Sequence, residues 1–234
     1  MKSESIEDYL KAIYVIQESQ HDSPVSTTSL ASHLGIANAS VTGMLKRLSS
    51  MDPPLVKYEP YYGVSLSPDG YKYALEIIRH HRLLESYLSQ KLGYRWDEVH
   101  DEAERLEHVI SEDLEERLAM ALGNPSTDPH GDPIPDRDGN YRQLAYQPLA
   151  DIPDGQSVEI CRVIGQKPEL LRYLAELGLV LSSKVEVVSK APFNGPITVR
   201  FIDSQLPVRV VGREVAEKIF VLPISTTVTE QQYE

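Results

Sequence analysis

Cysteine is almost absent from this 234-residue sequence, in which only Cys161 occurs. A single cysteine excludes an intramolecular disulfide and fits a reducing compartment. Its neighbours alternate between apolar and polar side chains, so we interpret Cys161 as a small strand residue and not as a ligand or nucleophile. Long apolar runs are also missing: no stretch approaches the roughly 18 residues that span a bilayer, and the first residues lack the apolar core of a secretory signal. We therefore expect a cytoplasmic protein without a membrane segment.

Positive charge is scarce as well. The chain has 23 Lys and Arg residues against 35 Asp and Glu residues, and its net charge is -12 at pH 7. This balance argues against a protein that holds nucleic acid through bulk positive potential, although it allows a local DNA-reading surface. The HExxH pattern of metalloproteases is missing, which disfavours hydrolytic zinc chemistry.

One short stretch carries four potential metal ligands: His100, Glu104, Glu107 and His108. At about 100° per residue, their spacing places all four within about a 100° arc of a helix. A neighbouring apolar stripe would pack this helix on a core; it consists of Val99, Ala103, Leu106, Ile110 and Leu114. The alternative is a solvated acidic helix with an outer face of Asp101, Glu102, Glu112, Asp113, Glu115 and Glu116.

A second segment places His81 and Glu85 four residues apart, again on one helical face. Imidazole and carboxylate together suit a divalent first-row metal, and sets rich in carboxylates favour the harder Mn(II) and Fe(II) ions. The alternative for His81 is an ordinary hydrogen-bonded helix histidine. The two segments together favour a metal site.

The first 67 residues follow the pattern of a winged helix-turn-helix. We predict a helix from about Ser5 to Glu18 with Ser5 as its N-cap, and a short helix after Ser26 that closes at Gly35. The next helix starts at Ala37 or Asn38. Two strands, at 55–60 and 63–67, would form the wing.

The helix that starts near Asn38 suits DNA recognition, because small polar side chains precede cations by one to two turns. The alternative is an ordinary small amphipathic helix. The predicted DNA contacts are Thr27, Thr28, Asn38, Ser40, Thr42, Gly43, Lys46 and Arg47.

The remainder divides into a long helix after Ser67, a segment rich in proline, glycine and aspartate, and a β-rich end. We interpret His130, in the proline-rich segment, as a solvated loop histidine. Four strands are predicted at 157–164, 184–189, 197–202 and 206–211, with one helix at 169–177 that closes at Gly178. This pattern indicates a small β-barrel of about 75 residues.

The order of these elements resembles the diphtheria-toxin-repressor family of metal-dependent regulators. The motifs that carry the resemblance are Tyr9-Leu10 with Ile13-Tyr14, His81-Arg82-Leu83 with Glu85, Val99-His100-Asp101-Glu102-Ala103, Glu107-His108-Val109 and Gly131-Asp132-Pro133-Ile134-Pro135. The resemblance implies an α+β protein with a winged helix-turn-helix DNA-binding domain at 1–72, a helical dimerisation and metal-binding domain at 73–123, a linker at 124–146 and an SH3-like β-barrel domain at 147–234.

The resemblance also implies two sets of metal ligands. The primary set is Asp8, Glu104, Glu107 and His108, and the ancillary set is His81, Glu85 and His100, to which the SH3-like domain would add Glu169 or Gln166. The iron-responsive branch has methionine and cysteine where this chain has Asp8 and Glu104. Oxygen donors suit Mn(II), so we favour manganese over iron. Lys11 stands where the short manganese regulators carry a glutamate, which directs any second metal to the ancillary set.

The resulting hypothesis is a Mn(II)-dependent repressor of metal-uptake genes. It would bind palindromic double-stranded operator DNA as a homodimer, with metal clamping the DNA-binding domain to the dimer frame. Three alternatives stay open: the same regulator answering to Fe(II), a carboxylate–histidine metalloenzyme, and a metal-independent winged-helix protein that binds protein partners through its barrel.

Overall fold

The computed structural model describes residues 3–19, 23–141, 145–202 and 204–224. These residues form two compact units that interleave along the chain. The first unit comprises the described residues up to Leu84 together with Glu102–Ser126 and Ile134–Tyr141. The second comprises Glu85–Asp101, Thr127–Pro133 and the described residues from 145 onward. None of the described helices is long and apolar enough to cross a membrane.

The first unit begins with the predicted winged helix-turn-helix. Its elements are α1 (Glu4–Ser19), α2 (Thr27–Leu34), α3 (Asn38–Ser49), β1 (Val56–Glu59) and β2 (Gly63–Leu66). The expected cap at Ser5 is wrong, because the helix begins one residue earlier and Ile6 N donates to the Ser3 carbonyl at 2.7 Å.

Two predicted end signals set the position of α2. The Ser26 hydroxyl accepts a hydrogen bond from Ser29 N at 3.0 Å, and Gly35 ends the helix at a φ of 66°. Val25, just before this cap, pairs with Val64 of the wing. Gly63 permits this contact, because a Cβ there would lie 2.6 Å from the Val25 carbonyl oxygen. The wing is therefore tied to the start of the helix-turn-helix.

The core of this domain consists of apolar side chains from all three helices. Leu10, Ile13, Leu30, Leu45 and Leu48 are fully buried within it. Each such side chain contributes roughly 2 kcal/mol from burial, so the packing holds α3 in place and leaves its polar face outward.

Three further helices follow: α4 (Pro68–Leu92), α5 (Val99–Leu106) and α6 (Glu112–Ala121). The sequence predicted one continuous helix through Leu114, and this is wrong. The chain turns over Glu107–Val109, and a new helix starts where the Ser111 hydroxyl accepts from Leu114 N at 3.3 Å. A serine followed by acidic residues favours the start of a new helix, and here this preference outweighs the regular spacing of the apolar residues. Leu114 is accordingly 42% exposed.

The second unit contains the predicted β-rich domain. Its described elements are β3 (Gln147–Pro148), a 3-10 turn (Leu149–Asp151), β4 (Ser157–Val163), α7 (Pro168–Leu177), β5 (Lys184–Lys190), β6 (Ile197–Phe201), β7 (Arg209–Val211), α8 (Arg213–Ala216) and β8 (Ile219–Pro223). The sheet has the order β3-β8-β4-β5-β6-β7, with antiparallel pairs throughout. Alternate residues such as Val158, Ile160, Val185 and Val187 point into its core and are fully buried.

The proline-rich segment is partly fixed to this sheet. Val163 N donates to the His130 carbonyl at 2.8 Å, and Arg162 donates to Asp132 at 2.5 Å. Gly131 makes the approach possible at a φ of 85°, because a Cβ there would lie 2.0 Å from the Cys161 carbonyl oxygen. The interpretation of His130 as solvated is therefore wrong, since the residue is fully buried.

Candidate metal centre

Asp8, Glu107 and His108 meet in the first unit, and we call them the turn centre. Asp8 lies in α1, whereas the other two residues lie in the turn after α5. One ligand atom from each residue lies within 4.8 Å of the others. His108 Nε2 is 3.0 Å from Asp8 Oδ1 and 3.5 Å from Glu107 Oε1. Two carboxylates and one imidazole that converge in this way fit a divalent first-row metal.

Glu7 orients the imidazole of the turn centre. Its Oε2 atom is 2.7 Å from His108 Nδ1, so the ring can donate a hydrogen bond from Nδ1 to this carboxylate and present the Nε2 lone pair to the centre. A carboxylate behind a metal-binding histidine fixes the ring and strengthens its basicity. Sequence reasoning missed Glu7, because only its position next to Asp8 hinted at this role.

The electrostatic environment of Asp8 favours a cation. Burial raises the pKa of the Asp8 carboxyl, and the negative charges of Glu104, Glu4 and Glu107 raise it further, whereas His108 opposes the shift. A bound divalent ion would offset both the desolvation and the repulsion between these carboxylates.

Glu107 is buried, with contacts on both sides of its carboxylate. On the side away from His108, His81 Nδ1 lies 2.5 Å from Glu107 Oε2, and Lys11 Nζ lies 2.7 Å from the same oxygen. Glu104, predicted as a primary ligand, has its Oε1 atom 2.5 Å from Lys11 Nζ and 3.9 Å from His81 Nδ1. Within the first unit, His81 and Glu104 thus lie beside Lys11.

A buried ion-pair network anchors the turn that carries Glu107. His80 Nδ1 is 3.2 Å from the Glu107 carbonyl oxygen, and His80 Nε2 is 3.1 Å from Glu115 Oε2. Arg79 donates to the other Glu115 oxygen at 2.6 Å. Burial favours protonation of Glu115, but the bonds from His80 and Arg79 outweigh it and lower its pKa to about 2. Placing Glu115 on a solvated face is therefore wrong.

Glu85, Asp128 and His130 form a second group in the second unit, which we call the buried cluster. All three side chains are 0% exposed, and one ligand atom of each lies within 4.8 Å of the others. His130 Nδ1 is 3.6 Å from Glu85 Oε2 and 4.0 Å from Asp128 Oδ2. Burial lowers the pKa of His130, but the hydrogen bond and charge of Glu85 and the charge of Asp128 outweigh it and raise the pKa to about 9.

The buried cluster contains part of the predicted ancillary set. His100 Nδ1 lies 3.4 Å from Glu85 Oε1, so the structure brings these two predicted ligands together. Gln166 Nε2 lies 3.4 Å from His130 Nδ1. Glu169 has a side chain that is 78% exposed and lies 3.7 Å from Arg172. Asp128 and His130 were missed, since their role depends on the packing of a proline-rich segment that has no helical spacing.

The predicted DNA-binding residues lie in α2 and α3 of the winged helix, and most of them are exposed. Asn38, Ser40, Gly43, Lys46 and Arg47 are exposed on α3, as is Thr28 at the start of α2. Thr42 is half-buried, and its hydroxyl donates to the Asn38 carbonyl at 3.0 Å.

A cleft lies between some of these residues and the wing. It is lined by Thr27, Thr28, Thr42 and Lys46 on one side and by Tyr61 and Tyr62 on the other. The two tyrosines are strongly exposed at the turn of the wing. Sequence reasoning treated this pair only as part of a turn and missed it as an element of the surface.

A winged helix-turn-helix with an exposed polar helix, together with a carboxylate–imidazole centre, is typical of one class of protein: DNA-binding regulators that respond to metal. Three family profiles match this chain. They are the N-terminal DNA-binding domain of iron-dependent repressors at 1–64, their metal-binding and dimerisation domain at 67–136, and the FeoA domain at 147–223.

Related proteins agree with these profiles. The iron-dependent repressor IdeR of Mycobacterium tuberculosis is 36% identical over 202 residues, which cover 79% of this chain and 84% of IdeR. An HTH-type transcriptional regulator of Methanocaldococcus jannaschii is 38% identical over 120 residues, or 51% of this chain and 94% of that protein. A manganese-dependent transcriptional repressor solved in complex with manganese is 38% identical, with a TM-score of 0.84, and the match covers 94% of this chain and all of that one.

The chain belongs to the iron-dependent repressor family, which includes the diphtheria toxin repressor. It is a metal-dependent transcriptional repressor with an SH3-like FeoA domain. The α+β fold predicted from the sequence is confirmed. The metalloenzyme hypothesis is excluded, because the family consists of DNA-binding repressors.

Proposed function

We propose that this repressor answers to Mn(II) and controls metal-uptake genes. The observation that carries the proposal is the donor set of the turn centre, in which Asp8 and Glu107 supply oxygen and His108 supplies nitrogen. Sulfur is missing from these donors, and hard oxygen ligands suit Mn(II). The similarity to a manganese-dependent repressor supports the same choice. The 36% identity to IdeR keeps Fe(II) as the alternative.

The geometry of the turn centre supplies the mechanism. Asp8 belongs to the helix that packs into the DNA-binding core, whereas Glu107 and His108 belong to the turn between α5 and α6. Mn(II), when bound, supplies a divalent charge that both parts of the unit can share. Asp8 then holds α1 against the turn, while Glu7 keeps the His108 ring aligned. The DNA-binding domain is thereby fixed to the helices that follow it.

We propose that this fixed arrangement is competent for DNA in a homodimer. Two recognition helices related by a two-fold axis match a palindromic operator with half-sites about 34 Å apart or a multiple of that distance. Because metal favours the fixed state, metal and operator strengthen each other's binding by the same factor. Asn38, Ser40 and Thr42 would face base edges, and Lys46 and Arg47 would contact phosphates.

We assign the ancillary cation site to the second unit. Glu85 and His100 are retained there from the predicted set, and Asp128 and His130 join them as candidate ligands. Gln166 of the β-rich domain contributes a polar group at the edge of the cluster. The exposed position of Glu169 makes Gln166 the better candidate from that domain.

The choice of metal is tested by anaerobic titration of DNA binding. A fluorescein-labelled duplex, selected from a random library in the presence of both Mn(II) and Fe(II), reports binding through anisotropy. We expect Mn(II) to activate the protein at a lower free concentration than Fe(II). Asp8→Met, which replaces one oxygen donor of the turn centre by sulfur, should shift the preference towards Fe(II), because sulfur donors favour the softer ion. Stronger activation of the unaltered protein by Fe(II) would overturn the proposal.

A further inference from the structure

The residues Ile134–Tyr141 follow the proline-rich segment and belong to the first unit, and we call them the return segment. Its first residue is buried with Leu83 of α4 and Ala119 of α6, so it packs on the helices that follow the DNA-binding domain. Arg79 of α4 adds a polar contact, because its guanidinium group donates to the Pro135 carbonyl at 2.7 Å. This end of the segment is thereby attached to α4 and α6.

The same Arg79 side chain belongs to the network that holds the metal-binding turn. It donates to Glu115 at 2.6 Å, and His80 lies between Glu115 and the Glu107 carbonyl, within hydrogen-bond distance of both. One guanidinium group therefore joins the start of the return segment to the network behind the turn centre.

The other end of the return segment is attached to α1. The hydroxyl oxygens of Tyr141 and Tyr14 lie 2.8 Å apart and share a hydrogen bond. Tyr14 is buried, and Tyr141 packs against the apolar core of the DNA-binding domain. A turn stiffens the span between the two ends, since the Asp136 carboxylate accepts hydrogen bonds from the backbone N–H groups of Asp138 and Asn140 at 2.9 Å and 2.8 Å.

The helix α1 is therefore held at two points that differ in their need for metal. Asp8 contributes to the turn centre, where a cation would bridge it to Glu107 and His108. Tyr14, six residues and about 9 Å further along the helix, joins α1 to the return segment through two hydroxyl groups. This second attachment needs no cation, so it limits how far α1 can move from the turn when metal is absent.

We propose that the return segment is a metal-independent tie that keeps part of the metal-free protein in the fixed arrangement. This inference rests on the proposed function, in which metal stabilises that arrangement. A ligand that binds only one of two states has its apparent affinity reduced by the fraction of protein in that state. The tie raises this fraction, so it lowers the Mn(II) concentration needed for activation and leaves some DNA affinity without metal.

The test compares the full-length protein with Tyr14→Phe and Tyr141→Phe, each of which removes one hydroxyl and keeps the ring. A hydrogen bond is worth about fivefold in an equilibrium constant, so the Mn(II) concentration at half-saturation should rise about fivefold in each variant. The affinity of the metal-free protein for the selected duplex should fall by the same factor. At saturating Mn(II), that affinity should be unchanged, because metal then supplies the fixed arrangement.

A double variant and a control identify the hydrogen bond as the cause. Tyr14→Phe combined with Tyr141→Phe should match either single variant, because the same bond is lost in all three. Tyr173→Phe, at a tyrosine of α7 that is 40% exposed, controls for the loss of a hydroxyl elsewhere. Amide hydrogen exchange in the metal-free variants should be faster over Glu4–Ser19. Circular dichroism checks folding, and Tyr141→Phe, at a half-buried residue, carries the test alone if Tyr14→Phe does not fold.

The outcomes separate the two proposals. Unchanged Mn(II) half-saturation and unchanged metal-free DNA affinity in the folded variants would overturn the tie and leave metal sensing intact. A loss of DNA affinity that persists at saturating Mn(II) would also contradict it, since the hydroxyls would then affect DNA contact and not the equilibrium between the two arrangements. If Mn(II) does not strengthen DNA binding by the unaltered protein, the proposed function itself is wrong.

Discussion

The turn centre and the buried cluster are made of the same groups in different surroundings. Each combines two carboxylates with one imidazole. In the turn centre, the Asp8 side chain is 40% exposed, and the donors come from a helix and a turn. In the buried cluster, all three side chains are fully buried, and the pKa of the imidazole is raised to about 9. We infer that solvent access at Asp8 suits the turn centre to exchange a cation more readily than the buried cluster.

The same comparison separates two ways of balancing negative charge. The buried cluster can hold a proton on His130. This positive charge balances part of the negative charge of Glu85 and Asp128 without metal. In the turn centre, Asp8 and Glu107 depend on cations nearby, and part of that charge comes from Lys11. We infer that the buried cluster contributes more to stability and the turn centre more to regulation. Four experiments test this contrast.

The largest effect is expected for His130→Ala. The substitution leaves Glu85 and Asp128 buried near each other without the imidazole, and losing one partner of a buried ion pair typically costs about 3–5 kcal/mol. Urea unfolding of the metal-free protein measures the change. His33→Ala, an exposed histidine in the first unit, is the matched control. If the free energy of unfolding falls no more than in the control, the cluster does not stabilise the fold as inferred.

The pH dependence of stability should show the same contrast. The folded-state pKa of His130, about 9, lies above its ordinary value of 6.5, so its contribution is fully present below pH 6.5 and disappears as pH rises through 9. The metal-free protein should therefore lose roughly 3 kcal/mol over that range. His130→Gln should flatten the curve. An equal loss in that variant would assign the pH dependence to other groups.

His108→Ala tests the turn centre. We expect Mn(II) affinity to fall on the order of a hundredfold, or about 3 kcal/mol, because one of three converging donors is lost. The stability of the metal-free protein should change much less than in His130→Ala. Isothermal titration calorimetry and urea unfolding measure the two quantities on the same sample. A large loss of stability with unchanged Mn(II) affinity would reverse the roles assigned to the two groups.

Glu7→Ala should have the smallest effect on metal binding. Removing the carboxylate behind His108 Nδ1 leaves the ligand in place but frees its ring, and we expect a loss of about tenfold in Mn(II) affinity. Glu7→Gln should lie between the alanine variant and the unaltered protein, because its carbonyl oxygen can still accept a hydrogen bond from His108 Nδ1. Glu18→Ala, at the far end of α1, is the control. Equal affinities in all four proteins would exclude a positioning role.

The winged helix could be predicted because its signals are local. Ser26 and Gly35 mark the ends of one helix, and the alternation of residues 55–67 marks the wing. The break after Leu106 was also signalled, since Ser111 and the acids that follow it begin a helix. The regular spacing of apolar residues across the break led to the wrong prediction.

Contacts between distant parts of the chain could not be read in this way. Lys11 and Glu104 are 93 positions apart, and neither has a spacing that points to the other. His130 looked like a loop residue because its burial depends on how Gly131 approaches the Cys161 carbonyl. Donor types and helical spacing identified candidate ligands, but only packing decides which of them share a cation.

The pairing of β3 with β8 gives the β-rich domain a property of its own. Gln147, near its start, lies opposite Val221, near its end, so the strand that enters the sheet and the strand that leaves it are neighbours. A short linker could join these two strands, and new termini could be made at another surface turn while the strand order of the sheet is kept. The domain is thus suited to circular permutation. It is also suited to insertion into another protein, because its first and last strands lie side by side.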